Sequence, residues 1–212
     1  MRLWNGWGNE DSDLTMELSD GLRSLLEVLV GPGTALSQAT LNEVISKVPD
    51  TRLDDHPLIK TDPETRVRHA RGQSLPDWLE MHSGNVDTFP DGVAFPESSA
   101  QVRELLAHAK ENNLIVIPYG GGTSVVGHIN PETSDKPILT IDMGKMNSML
   151  SIDTESQLAT FGAGAPGPVV EEELKKHGYT LGHFPQSWEL STLGGWVASR
   201  SSGQQSLHYG RI

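Results

Sequence analysis

The sequence predicts a mixed α/β domain of the α+β class, and three observations carry the prediction. A helix pattern, a β-branched strand and a glycine loop follow one another between residues 98 and 124. Two short apolar strand patterns come next, at 138–142 and 157–162. An amphipathic helix pattern then covers 167–177. The chain has 212 residues, 36% of them hydrophobic and 21% charged, enough apolar surface for one packed domain or two small lobes.

Taken in order, residues 1–88 read as a partly helical lead segment and residues 89–212 as the ligand-binding unit. Gly31-Pro32-Gly33 stops the apolar run 25–30, and Thr40-Leu41-Asn42-Glu43 is a capping-box pattern that opens a short helix toward Val48. Ser74-Leu75-Pro76-Asp77 opens another, whose Trp78, Leu79 and Met81 are read as packing groups. Ser98-Ser99 caps a helix with Val102, Leu105, Leu106 and Ala109 at helical spacing, and Asn112-Asn113 ends it. The run Leu114-Ile115-Val116-Ile117 reads as a buried strand, and 144–151 as a turn-rich connection between the two later strands. In the helix 167–177, Val169, Val170 and Leu174 form one face and Gly178 is the stop.

Composition removes several function classes. With no cysteine, disulfide scaffolds, thiolate zinc sites and cysteine nucleophiles are excluded. The net charge of -12, without a basic stripe, argues against nucleic acid. An anionic ligand must then be held by backbone N–H groups or a few local side chains, and 22 glycines direct attention to the turns. The first seven residues have no apolar core long enough for a signal peptide, and no apolar stretch is long enough for a transmembrane segment. A soluble cytoplasmic protein is expected.

Directly after the predicted strand comes Pro118-Tyr119-Gly120-Gly121-Gly122-Thr123-Ser124. A dinucleotide fingerprint fails there, because the third glycine would fall at Val125. A Walker loop fails too, because Gly122 and Gly127 have the spacing but His128 and Ile129 follow. Two readings stay open: a phosphate cradle of small residues with Thr123 and Ser124 as added donors, and a tight turn after a strand. A second stretch, residues 183–203, is dense in glycines and hydroxyls. A helix opening near Ser191 would present free N–H groups, with Gly194 and Gly195 leaving room for a flat ring; a capped helix packed on a sheet is the plainer alternative.

Together with Phe89-Pro90-Asp91-Gly92-Val93-Ala94-Phe95-Pro96 and Tyr209-Gly210, these stretches resemble the flavin-binding lobe of the vanillyl-alcohol-oxidase and para-cresol-methylhydroxylase (PCMH) flavoproteins. Within that family they are most similar to alkylglycerone-phosphate synthases and bacterial FAD-binding oxidases. The resemblance implies a PCMH-type lobe with FAD bound non-covalently. By position it implies cofactor contacts from Pro118, Tyr119, Gly120, Gly121, Gly122, Thr123 and Ser124, and from Gln186, Ser187, Ser191, Thr192, Gly195, Ser199, Arg200, Ser201 and Ser202. Gln186 and Ser201 depart from the synthase pattern, where an acid and an alanine are usual. His128 lies just after the loop where some members tether flavin, and here it is read as a turn residue.

The resemblance also implies that the flavin lobe and its cap domain continue past Ile212, so the chain is expected to be an N-terminal part whose catalytic residues lie beyond it. The activity implied is exchange of an acyl group for a fatty alcohol on glycerone phosphate. The alternatives are oxidation of a 2-hydroxy acid or alcohol, and a nucleotide-binding module without chemistry. Expected partners are a small-molecule or lipid-like substrate and a second copy in a homodimer. The histidines, His69 and His183 among them, show no spacing with acids that suggests a metal site and are read as surface or packing residues.

Overall fold

The computed structural model describes residues 2–11 and 18–212. Residue 1 and residues 12–17 of the lead segment lie outside it. The elements are α1 (Asp20–Val30), α2 (Leu41–Ile45), β1 (Ile59–Lys60), α3 (Pro63–Arg68), α4 (Leu75–Ser83), β2 (Gly92–Ala94), α5 (Ser99–Glu111), β3 (Ile115–Tyr119), β4 (Ile138–Asp142), β5 (Met149–Asp153), β6 (Leu158–Phe161), α6 (Gly167–Lys175), α7 (Leu193–Ser199) and α8 (Ser206–Tyr209). The α+β class is borne out. No helix among the described residues is long and apolar enough to cross a membrane.

Local chemistry sets most of the helix starts. Thr40 and Ser74 both close capping boxes, with Glu43 and Asp77 reaching back to the cap amide. Ser98 caps α5 through the amide of Gln101, and Gly84 ends α4 in the left-handed region. On α5 the buried face is narrower than the spacing suggests: Leu105 and Ala109 are buried, while Leu106 is exposed.

Four strands form one sheet in the order β1-β2-β4-β3, with β2, β4 and β3 parallel and β1 antiparallel at the edge. The central strand β4 is buried from Ile138 through Ile141, as a strand flanked on both sides must be. β3 is not the buried strand expected: it lies at the sheet edge, with Ile117 and Tyr119 buried on one face, Pro118 exposed on the other, and Ile115 exposed at the strand start. The stretch expected as a turn-rich connection contains β5, which pairs antiparallel with β6 through a register shift between Met149 and Ser151. A five-residue strand with one β-branched residue, Ile152, gives a weak local signal, and pairing with a partner further along the chain supplies the rest.

Asp91 locks the sheet. Its Oδ2 accepts from the Ile138 N–H at 2.7 Å, and Arg52 donates to it through Nε at 2.8 Å and Nη2 at 2.7 Å. Burial alone would raise this carboxyl, but the Arg52 side chain and the Ile138 N–H hold it below the ordinary carboxylate value. The lead segment packs Val44, Val67, Ala70, Met81 and Val86 into one core with Phe89 of the following unit, and its β1 pairs with Val93 and Ala94 of β2. A separate core of Ala165, Val170 and Leu174 lies under α6.

Candidate functional site

The three parallel strands end on one side, and that carboxyl edge is where open α/β sheets place ligands. Tyr119, the last residue of β3, pairs with Asp142, the last of β4, and the glycine loop leaves the sheet there. Gly122 sits in the left-handed region (φ 66°), where a side chain is strained, and a Cβ on it would strike the Tyr119 hydroxyl. A Cβ on Gly121 would strike the Leu190 carbonyl, so the glycines also let this loop rest against the second stretch.

Two carbonyls of the loop are engaged, whereas four of its amides have no acceptor among the described residues. Gly121 O accepts from Arg2 Nη1, and Ser124 O accepts from the Gln73 amide at 2.6 Å. Among the described residues, none accepts a hydrogen bond from the amides of Gly121, Gly122, Thr123 or Ser124. Four consecutive unpaired N–H groups around a left-handed glycine form a concavity that suits an anion.

The second stretch differs from expectation. Thr192 caps α7 through the Gly195 amide at 3.4 Å, but Leu193 N donates to Ala165 O at 2.9 Å and Gly194 N to Ala163 O at 2.8 Å. The expected free amides at this helix start are therefore satisfied by protein, because α7 packs onto the turn after β6. Ser191 Oγ donates to Ser187 O and accepts from Trp196 Nε1 at 2.7 Å. Ser199 Oγ returns to Gly195 O, Arg200 ends α7 in the left-handed region, and Ser202 bridges to Arg211. Ser201 Oγ meets His183 Nε2 at 3.1 Å, and burial pushes that imidazole below its ordinary value.

A cavity of about 410 Å³ opens where the two stretches meet, a size ordinary for small-molecule and cofactor sites. Of the residues singled out in the sequence, Tyr119, Gly120, Gly121, Gly122, Thr123 and Thr192 line it. Pro118, Ser124, Gln186, Ser187, Ser191, Gly195, Ser199, Arg200, Ser201 and Ser202 stand outside its wall.

Sequence reasoning missed much of the wall, including three residues with chemistry to offer: Arg2, His69 and Asp142. Asp142 could have been flagged as the end of a strand at the carboxyl edge. His69 had no such signal, since its partner is 73 positions away. Its Nε2 lies 3.0 Å from Asp142 Oδ2 and its Nδ1 2.8 Å from Thr65 O, with the ring against Tyr119 at 4.7 Å between centroids. Burial pushes the Tyr119 phenol up to about 12, so it stays a neutral hydroxyl beneath the glycine loop.

This chemistry fits an FAD diphosphate: amides and the Thr123 hydroxyl donate to phosphate oxygens, and small residues admit close approach. The family model of the FAD binding domain matches residues 90–212. The chain is 41% identical over 154 residues to the alkyldihydroxyacetonephosphate synthase of Dictyostelium discoideum, covering 73% of this chain and 25% of that protein. It is 31% identical to the Caenorhabditis elegans protein of the same name, covering 99% of this chain and 40% of the relative. A solved structure of alkyldihydroxyacetonephosphate synthase superposes with a TM-score of 0.82 at 32% identity, over 99% of this chain and 45% of that one. The chain thus spans less than half the length of these relatives. With the glycine loop at the sheet's carboxyl edge inside the matched region, the chain belongs to the FAD binding domain family.

Proposed function

We propose that this chain holds FAD non-covalently, with the diphosphate on the amides of Gly121, Gly122, Thr123 and Ser124. The observation that carries the reading is that these four amides lack an acceptor among the described residues while the carbonyls of Gly121 and Ser124 are engaged. Thr123 adds a hydroxyl, and Thr192 closes the opposite wall. His128 is exposed, does not line the cavity, and has its Nδ1 3.1 Å from Ser124 Oγ, which supports a cofactor without a histidine tether.

For the whole protein we propose the exchange of an acyl group for a fatty alcohol on glycerone phosphate. Similarity to two alkyldihydroxyacetonephosphate synthases and to a solved structure of one supports this. Bound flavin would supply the reactive ring, while the hydrogen-bonded His69 and Asp142, with Tyr119 packed on the His69 ring, line the cavity beside the glycine loop. The 212 residues by themselves are expected to bind flavin without turnover. FAD titration followed by flavin fluorescence, then acid precipitation, tests the cofactor reading: saturable binding with all flavin released to the supernatant is expected. Flavin retained in the pellet would overturn the non-covalent reading. Acceptor reduction by a 2-hydroxy acid, without exchange, in the whole protein would overturn the proposed reaction.

A further inference from the structure

The N-terminal residues 2–9 fold into a short hairpin over the cavity. Leu3 N donates to Gly8 O at 3.0 Å, and Arg2 forms a bridge with Asn9. Trp4 packs on the core of the lead segment, and Arg68 Nη1 fixes the Arg2 carbonyl at 2.9 Å. From this anchored backbone the Arg2 guanidinium reaches both cofactor stretches at once. Nη1 donates to Gly121 O in the glycine loop, and Nη2 donates to Leu190 O at 3.0 Å in the second stretch.

A guanidinium carries five N–H donors in a rigid fork, and these two bonds leave three. The other arginines of the wall are neutralised, Arg68 by Glu64 and Glu10 and Arg71 by Glu80 and Asp87, while the His69 ring is hydrogen-bonded to Asp142. Arg2 has no carboxylate partner among the described residues, and Glu189, the remaining charged wall residue, is exposed. In a chain of net charge -12, this places a positive charge without a carboxylate partner among the described residues beside four amides that likewise lack an acceptor among them.

We propose that Arg2 is a cofactor-binding residue whose guanidinium, held by the carbonyls of both stretches, donates its remaining N–H groups to the FAD diphosphate. This rests on the FAD reading above. The two carbonyls orient the fork and the diphosphate supplies the counter-charge that no described residue does. Arg2 thereby couples phosphate binding to the spacing of the two stretches.

The test compares FAD with riboflavin, which carries no phosphate, on the 212-residue chain and its Arg2→Gln and Arg2→Lys variants, using flavin fluorescence for affinity and circular dichroism for folding. Arg2→Gln is expected to weaken FAD about ten-fold or more, the scale of one charge-assisted hydrogen bond, and to leave riboflavin within about two-fold. Arg2→Lys keeps the charge but loses the fork, and is expected to have an FAD affinity between those of the parent and Arg2→Gln, with riboflavin again within about two-fold. Unchanged FAD affinity in Arg2→Gln overturns the proposal, and so does parallel loss of FAD and riboflavin, which would make Arg2 a tie between loops. Should Arg2→Gln fail to fold, a folded Arg2→Lys variant that loses FAD and riboflavin affinity in parallel, or loses neither, would overturn the proposal. A parent chain that binds FAD no better than riboflavin would instead remove the diphosphate reading on which the proposal rests.

Discussion

The glycine loop at 118–124 and the glycine-rich stretch at 186–202 look alike as strings of small and hydroxylated residues, yet the fold uses them in opposite ways. In the first, the carbonyls of Gly121 and Ser124 are engaged by Arg2 and Gln73, and four amides are left without an acceptor among the described residues. In the second, the amides at the start of α7 are satisfied by Ala163, Ala165 and Thr192, and the serines bond to neighbouring backbone and side chains. A glycine admits close approach, but its sequence does not say whether the approaching group is a ligand or another backbone. The destination of each backbone hydrogen bond decides it.

The largest effect expected is at Gly121→Asp. A carboxylate there faces the diphosphate site, and its Cβ collides with the Leu190 carbonyl, so both flavin binding and loop packing should suffer. Loss of detectable FAD binding is expected, with destabilisation of about 2–4 kcal/mol in urea unfolding. Flavin binding retained at full stability would erase the contrast between the two stretches.

Next comes the platform under the first loop. Asp91→Asn places an amide donor against either the Ile138 N–H or the Arg52 guanidinium, and is expected to cost about 1–3 kcal/mol. The pH dependence has a definite sign. Because the folded carboxyl lies below its unfolded value, its stabilisation is present above about pH 4 and is lost as pH falls through the folded value. Denaturant midpoints from pH 6 to pH 2 should show this acid component in the parent chain and lack it in Asp91→Asn.

The smallest effects sharpen the second half of the comparison. Thr192→Ala removes the α7 cap and is expected to cost about 1 kcal/mol. Gly195→Ala adds a methyl whose nearest neighbour is Thr192 Oγ1 at 3.4 Å, and in a helix it should change stability by no more than about +1 kcal/mol, with FAD affinity kept. Flavin loss in Gly195→Ala at unchanged stability, measured by thermal melts and fluorescence titration, would show that the second stretch meets the ring directly.

Features governed by neighbours within about four residues were legible in the sequence. The capping boxes at Thr40 and Ser74, the Ser98 cap, the stops at Gly31 and Gly178, and the helix–strand–glycine-loop order are all local, since caps and turns bond residues two to four apart. The motif resemblance likewise led to FAD from short strings of residues. Tertiary structure decided the rest. It set β3 at the sheet edge, brought Ile59 and Lys60 of the lead segment onto β2, and paired β5 with β6. It joined His69 to Asp142 and carried Arg2 across to Gly121 and Leu190, contacts spanning 73, 119 and 188 positions. Such pairings depend on chain closure and on competition for buried hydrogen-bond acceptors, and neither quantity is encoded in the spacing of nearby residues.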